Sequence, residues 1–190
     1  SGPGSPSFLY LSKEILNHLQ NPIKGWFGHL KPFDFENKYK PADNINKFNA
    51  GTPSVLSLIP VNTGLDLVLE AGIINIRNKS IELGEYLIKI INIELNKFDI
   101  KIISPIESKS RGSHITIQHK EAWKICKLLI KGDKYRKRII PDFRPVNNIR
   151  LGFSPLYVSF IDLYETVIAI RNILENKEYL KIDDSKSKVT

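Results

Sequence analysis

Two changes of hydrophobic period in its second half constrain this chain more than any other feature. From 74 to 96 the apolar residues Ile76, Ile81, Leu83, Leu87, Ile91 and Leu95 recur at helical spacing. Past Asn96 the period drops toward two. Ile100, Ile102 and Ile103 within 99–104, and Ile115 and Ile117 within 113–118, read as strands joined by a loop through Pro105 to Arg111. Helical spacing returns over 120–131 with Trp123, Ile125, Cys126, Leu128 and Leu129. Short strands follow at 138–142 and 149–153, and a last strong helix over 160–174. The predicted order after residue 73 is therefore α-β-β-α-β-β-α, an α+β layer unit, with a polar tail from Asn176.

The first half is different in kind. Up to Pro53 it is rich in Gly, Pro and aromatics and has little sustained periodicity. Phe8-Leu9-Tyr10-Leu11 reads as a short strand or as the first turn of a helix running to Leu19. A loop-like run with Pro32, Asn37, Pro41, Asp43 and Asn44 follows Gly25-Trp26-Phe27-Gly28-His29. A loop of that length in a compact chain is functional or an interface element. Val55, Leu58, Ile59 and Leu65 then begin a helix, for which Pro53 suits the first turn, Thr52 the N-cap and Gly72 the stop.

Charge narrows the function classes. The net charge is +8, but the chain is rich in Ile, Lys and Asn, so much of the excess lysine follows a composition bias. The excess is local: from Lys120 to Arg150 ten basic residues face three acidic ones, Glu121, Asp133 and Asp142. No RNP-like aromatic pair, Cys/His finger or recognition-helix pattern accompanies it, which argues against nucleic acid as partner. No apolar run reaches the roughly 18 residues of a membrane span, and Ser1-Gly2-Pro3-Gly4-Ser5-Pro6 has no signal-peptide pattern. A cytoplasmic protein is expected. The single cysteine, Cys126, excludes an internal disulfide framework, and His18, His29, His114 and His119 have no metal-ligand spacing. Walker, G-x-G-x-x-G and G-x-S-x-G signatures are missing. The chain contains no methionine, as expected of a processed chain or a piece of a longer one.

Several short motifs remain, each open to two readings. Gly25-Trp26-Phe27-Gly28-His29 permits a tight backbone with two large rings, as a core anchor at a turn or as a ligand contact. Gly51-Thr52-Pro53 at a helix start is an ordinary N-cap or an anion site, since helix N-termini present unpaired N–H groups. Arg111-Gly112-Ser113-His114, Asp142-Phe143-Arg144-Pro145 and Ile149-Arg150-Leu151-Gly152-Phe153 place arginines on strands between apolar neighbours. Such an arginine needs an anion: a buried ion-pair partner or a carboxylate ligand held by its planar fork.

Taken in order, these motifs resemble the kynureninase family. The resemblance begins with Ser1-Gly2-Pro3-Gly4-Ser5-Pro6 and Gly25-Trp26-Phe27-Gly28-His29. It continues through Gly51-Thr52-Pro53, Gly64-Leu65-Asp66-Leu67, Glu70-Ala71-Gly72-Ile73, Ile76-Arg77 and Lys79-Ser80. It closes with Arg111-Gly112-Ser113, Asp142-Phe143-Arg144-Pro145, Arg150-Leu151-Gly152-Phe153 and Pro155-Leu156-Tyr157, and so covers nearly the whole chain to about Glu175.

The resemblance implies an α/β fold: the C-terminal half of a homodimeric pyridoxal-phosphate (PLP) enzyme of the aspartate-aminotransferase fold, type I. Residues 1–72 would belong to the large PLP-binding domain, 73–176 to a small α+β domain and 177–190 to a tail. The family hydrolyses L-kynurenine, or 3-hydroxykynurenine, at Cβ–Cγ to anthranilate, or its 3-hydroxy form, and L-alanine. Its Schiff-base lysine is expected upstream of Ser1, so no catalytic residue is assigned in this chain. Trp26 and Thr52 match cofactor-binding positions, Thr52 near the phosphate and reaching across the dimer. Arg150 matches the clamp for the substrate α-carboxylate, and His29 is placed on the aryl side of the substrate pocket. The stretch Asp133-Lys134-Tyr135-Arg136-Lys137-Arg138 departs from the family pattern and leaves the next strand boundary open. Rival readings are another fold-type-I PLP enzyme, a cysteine desulfurase or aminotransferase-like protein, and a non-catalytic basic binding module.

Overall fold

The computed structural model describes residues 6–183, which form two compact units meeting at Glu70 and Ala71. In the first unit, helix α1 (Lys13–His18) is capped by Ser12, whose side chain accepts the Ile15 N–H. No regular element covers Phe8–Leu11, and the helix occupies only the later part of the expected stretch. Two 3-10 turns follow, Trp26–Gly28 and Ile45–Phe48.

Helix α2 (Val55–Ala71) starts later than expected. Thr52 and Pro53 lie outside it, and Ser54 takes the position ahead of the first turn, its carbonyl accepting the Ser57 and Leu58 N–H groups. No residue of α2 is buried within its unit. Gly72 follows at φ 75°, a left-handed conformation that suits glycine and separates α2 from the next helix.

The second unit has the predicted α-β-β-α-β-β-α order. It runs α3 (Ile73–Glu94), β1 (Lys101–Ile102), β2 (His114–Gln118), α4 (Ala122–Lys131), β3 (Asp142–Arg144), β4 (Asn148–Gly152) and α5 (Phe160–Glu175). The strands form one antiparallel sheet in the order β1-β2-β4-β3. Alternation sorts its faces: Ile115, Ile117, Ile149 and Leu151 turn into a core with Leu83, Leu87 and Ile91 of α3, Ile125 and Leu129 of α4, and Val167, Ile170 and Ile173 of α5. A Ser159–Asp162 capping box starts α5.

The second unit departs most from expectation in two places. The strand read at 138–142 lies instead at Asp142–Arg144. Asp133 accepts the Tyr135 and Arg136 N–H groups at 2.8 and 2.9 Å, making the basic stretch a turn, and Pro141 has no N–H to give a ladder. The second difference is in the expected tail, which contains a 3-10 turn, Glu178–Lys181; Tyr179 and Ile182 pack against the core. Their spacing was too short to register as a periodic element.

Candidate functional site

The same alternation that buries Ile149 and Leu151 leaves Arg150 on the opposite, polar face of the sheet. In register, Arg150 is the partner of Thr116 on one side and of Asp142 on the other. Phe143 turns inward to meet Trp123, ring centroids 5.2 Å apart, so Asp142 and Arg144 share the face of Arg150. One carboxylate oxygen, Asp142 Oδ2, accepts from Arg150 Nη2 and from Arg144 Nε at 2.9 Å, and Arg144 Nη2 lies 2.8 Å from it as an ion pair. Arg150 remains 39% exposed, and its Nε and Nη1 have no protein acceptor among the described residues. This face therefore presents one guanidinium held from one side and open on the other, in a cluster of two cations and one anion. That is what recognition of a carboxylate requires.

In the first unit the two glycines of Gly25-Trp26-Phe27-Gly28-His29 have a direct cause. A Cβ on Gly25 would stand 1.7 Å from the Ala50 carbonyl oxygen, and one on Gly28 2.6 Å from that of Asn49. The backbone of 47–50 lies on them, so no side chain fits. The turn displays Trp26, 48% exposed and packed edge-on against Phe27 and Phe33 with centroids at 4.9 and 5.7 Å.

His29 is buried, and its ring is committed to the backbone. Nδ1 accepts the Lys31 N–H at 3.0 Å and Nε2 lies 3.3 Å from the Lys38 carbonyl, so it carries the hydrogen and donates it. Both ends of the 31–38 loop are thereby tied to one imidazole. Trp26 and His29 line a common recess of about 460 Å³ with Pro32, Phe35, Glu36 and Tyr39. Thr52 is not part of it. It is exposed, and its hydroxyl has no protein partner among the described residues. Arg150 belongs to the second unit.

Sequence reasoning missed two features. The sharing of Asp142 between Arg144 and Arg150 follows from β3–β4 register, which a misplaced strand conceals. Phe35 and Tyr39 enter the recess from a stretch with no period to betray them. Arg111 takes the ion-pair alternative: its side chain is 3% exposed, its Nη2 lies 4.0 Å from Glu85 Oε1, and it donates to the Ile106 carbonyl and packs over Gly84. Among the described residues no group of three or more His, Cys, Asp or Glu could hold a metal ion. Nor is any single helix there long and apolar enough to cross a membrane.

The family described as kynureninase C-terminal domain matches residues 76–170. That span takes in most of α3, the whole sheet, α4 and most of α5, with the Arg150–Asp142 pair inside it. The chain belongs to the kynureninase C-terminal domain family. The kynureninase of Bacillus cereus strain ATCC 10987 is 36% identical over 191 aligned residues, spanning 100% of this chain and 43% of that protein. Kynureninase from Pseudomonas fluorescens is 30% identical over 94% of this chain and 42% of its own length. That of Geobacillus thermodenitrificans is 35% identical over 99% of this chain. The chain thus spans less than half the length of the curated kynureninases it matches.

Proposed function

We propose that this chain is the C-terminal portion of a homodimeric, PLP-dependent kynureninase of fold type I. Such an enzyme hydrolyses the Cβ–Cγ bond of L-kynurenine or 3-hydroxykynurenine, giving anthranilate or its 3-hydroxy form and L-alanine. The observation that carries this reading is Arg150, a half-exposed guanidinium on the polar sheet face inside the matched family span.

The residues present suit the cofactor. An aromatic ring bearing a phosphate calls for an exposed aromatic surface and a free hydroxyl beside permissive backbone. Trp26 offers the first, and Thr52 the second, next to Gly51, where a Cβ would meet nothing within 4 Å. Trp26 would contact the ring and Thr52 the phosphate, Thr52 doing so across the dimer. When bound, PLP supplies an electron sink for charge developing on the substrate.

The chain's own contribution is recognition and aim. Arg150 binds the α-carboxylate through the guanidinium edge that its single contact with Asp142 leaves open and fixes the orientation of the scissile bond, an effect of positioning rather than proton transfer. His29 has no ring nitrogen to spare, so on the aryl side of the pocket it acts by holding the 31–38 loop and lending ring surface. The cysteine-desulfurase alternative requires a reactive thiol on a mobile loop, whereas Cys126 is buried in α4 and burial pushes its thiol up to about 12.

The test is direct. The full-length protein that carries this chain, loaded with PLP, should convert L-kynurenine to fluorescent anthranilate with an equal yield of L-alanine. Failure to release either product overturns the proposal.

A further inference from the structure

We infer that Asp142 is a positioning residue that sets the plane of the Arg150 guanidinium, and that Arg144 keeps Asp142 from cancelling the charge Arg150 offers a carboxylate. This rests on the proposed role of Arg150 as carboxylate clamp. Three observations carry it.

The first is register. Asp142 and Arg150 are directly paired on neighbouring antiparallel strands, where side chains on one face stand about 5 Å apart at Cβ. The contact is built into the backbone and does not depend on a chance meeting of long side chains. The second is the way the carboxylate is used. Asp142 meets Arg150 at Nη2 alone and through Oδ2 alone. A bidentate grip would have consumed a whole edge of the guanidinium; this one takes a single Nη2 hydrogen and leaves one two-donor edge, the other Nη2 hydrogen with Nη1 or with Nε, for a ligand. The third is Arg144. Its Nε donates to the same Oδ2 at 2.9 Å and its Nη2 lies 2.8 Å from it, so the three side chains together carry one positive charge. An arriving carboxylate therefore meets a net cation whose orientation has already been set.

The test compares Asp142→Asn and Asp142→Glu in the PLP-loaded, full-length protein that carries this chain. Asp142→Glu keeps the charge and moves the oxygen by one methylene, so it separates position from charge. Both variants should raise KM for L-kynurenine about tenfold or more while kcat changes less than threefold. Both should also lose the preference for L-alanine over L-alaninamide as competitive inhibitor, with thermal midpoints near that of the parent. Wild-type KM in Asp142→Glu overturns the positioning role, as does a lower KM in Asp142→Asn, which would make Asp142 a brake on anion binding. If Asp142→Asn does not fold, Asp142→Glu decides. Arg150→Lys serves as the reference. If it raises KM and the Asp142 variants do not, the clamp stands and the positioning role falls. If Arg150→Lys itself leaves KM and the inhibitor preference unchanged, the clamp reading has failed and this inference falls with it.

Discussion

Arg150 stands directly opposite Thr116 in the central strand pair, while their neighbours Ile149 and Ile117 pair on the buried face one step away. A long cation is thus raised on the middle of a sheet whose other side is a fully apolar layer. A sheet anchored in this way gives the guanidinium a rigid base, and a rigid base is what lets a planar fork discriminate a carboxylate from other groups.

Replacing Arg150 by Lys keeps the charge but removes the fork. In the full-length protein that carries this chain, KM for L-kynurenine should rise at least tenfold, equivalent to about 1.4 kcal/mol or more of lost binding. Steady-state kinetics with anthranilate fluorescence measure it. An unchanged KM would mean that Arg150 serves only its ion pair with Asp142.

Trp26 invites a separate test, because its indole is 48% exposed and its ring contacts among the described residues are with Phe27 and Phe33. Trp26→Ala should leave folding intact and weaken PLP retention by about 1–3 kcal/mol, the range for losing an aromatic contact surface. Dialysis followed by cofactor absorbance reads it out. A variant that keeps its PLP as tightly as the parent would return Trp26 to packing against Phe27 and Phe33.

The glycine ahead of that tryptophan is constrained by backbone. A methyl at Gly25 would overlap the Ala50 carbonyl, so Gly25→Ala should displace the 47–50 segment and destabilise the first unit by about 1–3 kcal/mol. Gly51→Ala, whose added Cβ meets nothing within 4 Å, is the matched control and should be nearly neutral. Urea unfolding monitored by tryptophan fluorescence compares the two. Equal midpoints would show that Gly25 is not packed as described.

Much of this was legible in the sequence where a period existed to read. Ile115, Ile117, Ile149 and Leu151 announced their strands by alternation, and Leu83, Leu87 and Ile91 announced α3. What could not be read were contacts that depend on register or on aperiodic chain. Asp142 was visible as an acid near two arginines, but its pairing with Arg150 required a strand boundary that the turn at Asp133–Arg136 obscures. The helix start differs because Thr52-Pro53 reads as a cap and first turn, whereas it is the Ser54 carbonyl that accepts the first helical N–H groups. His29 was recognisable as a structural or ligand-lining histidine, yet nothing in the sequence says that Lys31 and Lys38 supply its partners. The opening motif Ser1-Gly2-Pro3-Gly4-Ser5 lies outside the described residues.

His119 sets an acid limit on the second unit. Burial pushes its imidazole below the ordinary value of 6.5, outweighing the nearby Asp99 and Glu121, and its Nδ1 accepts the Glu121 N–H at 3.1 Å. The folded state therefore resists protonation more than the unfolded chain does. Stability from this group is fully present above pH 6.5 and declines as pH falls toward the depressed folded value. The slope is at most about 1.4 kcal/mol per pH unit. His119→Gln should flatten this limb in thermal melts between about pH 4 and 7. An identical limb in the variant would assign the acid loss to other groups.

Cys126 sets the opposite limit. It is 2% exposed in the apolar face of α4, and burial, reinforced by the Asp142 charge, pushes its thiol from 9.0 up to about 12. A thiol that ionises so late carries almost no thiolate near neutral pH, and the thiolate is the reactive form. The native protein should therefore leave Cys126 unmodified by an aromatic disulfide reagent at pH 8 over a time in which the urea-unfolded chain reacts completely. The same shift has a stability sign. Between the unfolded and folded values the folded state holds the proton that the unfolded state has released, so this contribution falls as pH rises above about 9. Cys126→Ala should remove that alkaline decline and cost about 1 kcal/mol at neutral pH for the small cavity it leaves. Rapid labelling of the native protein would contradict the burial on which both expectations rest. It would also restore the reactive-cysteine alternative.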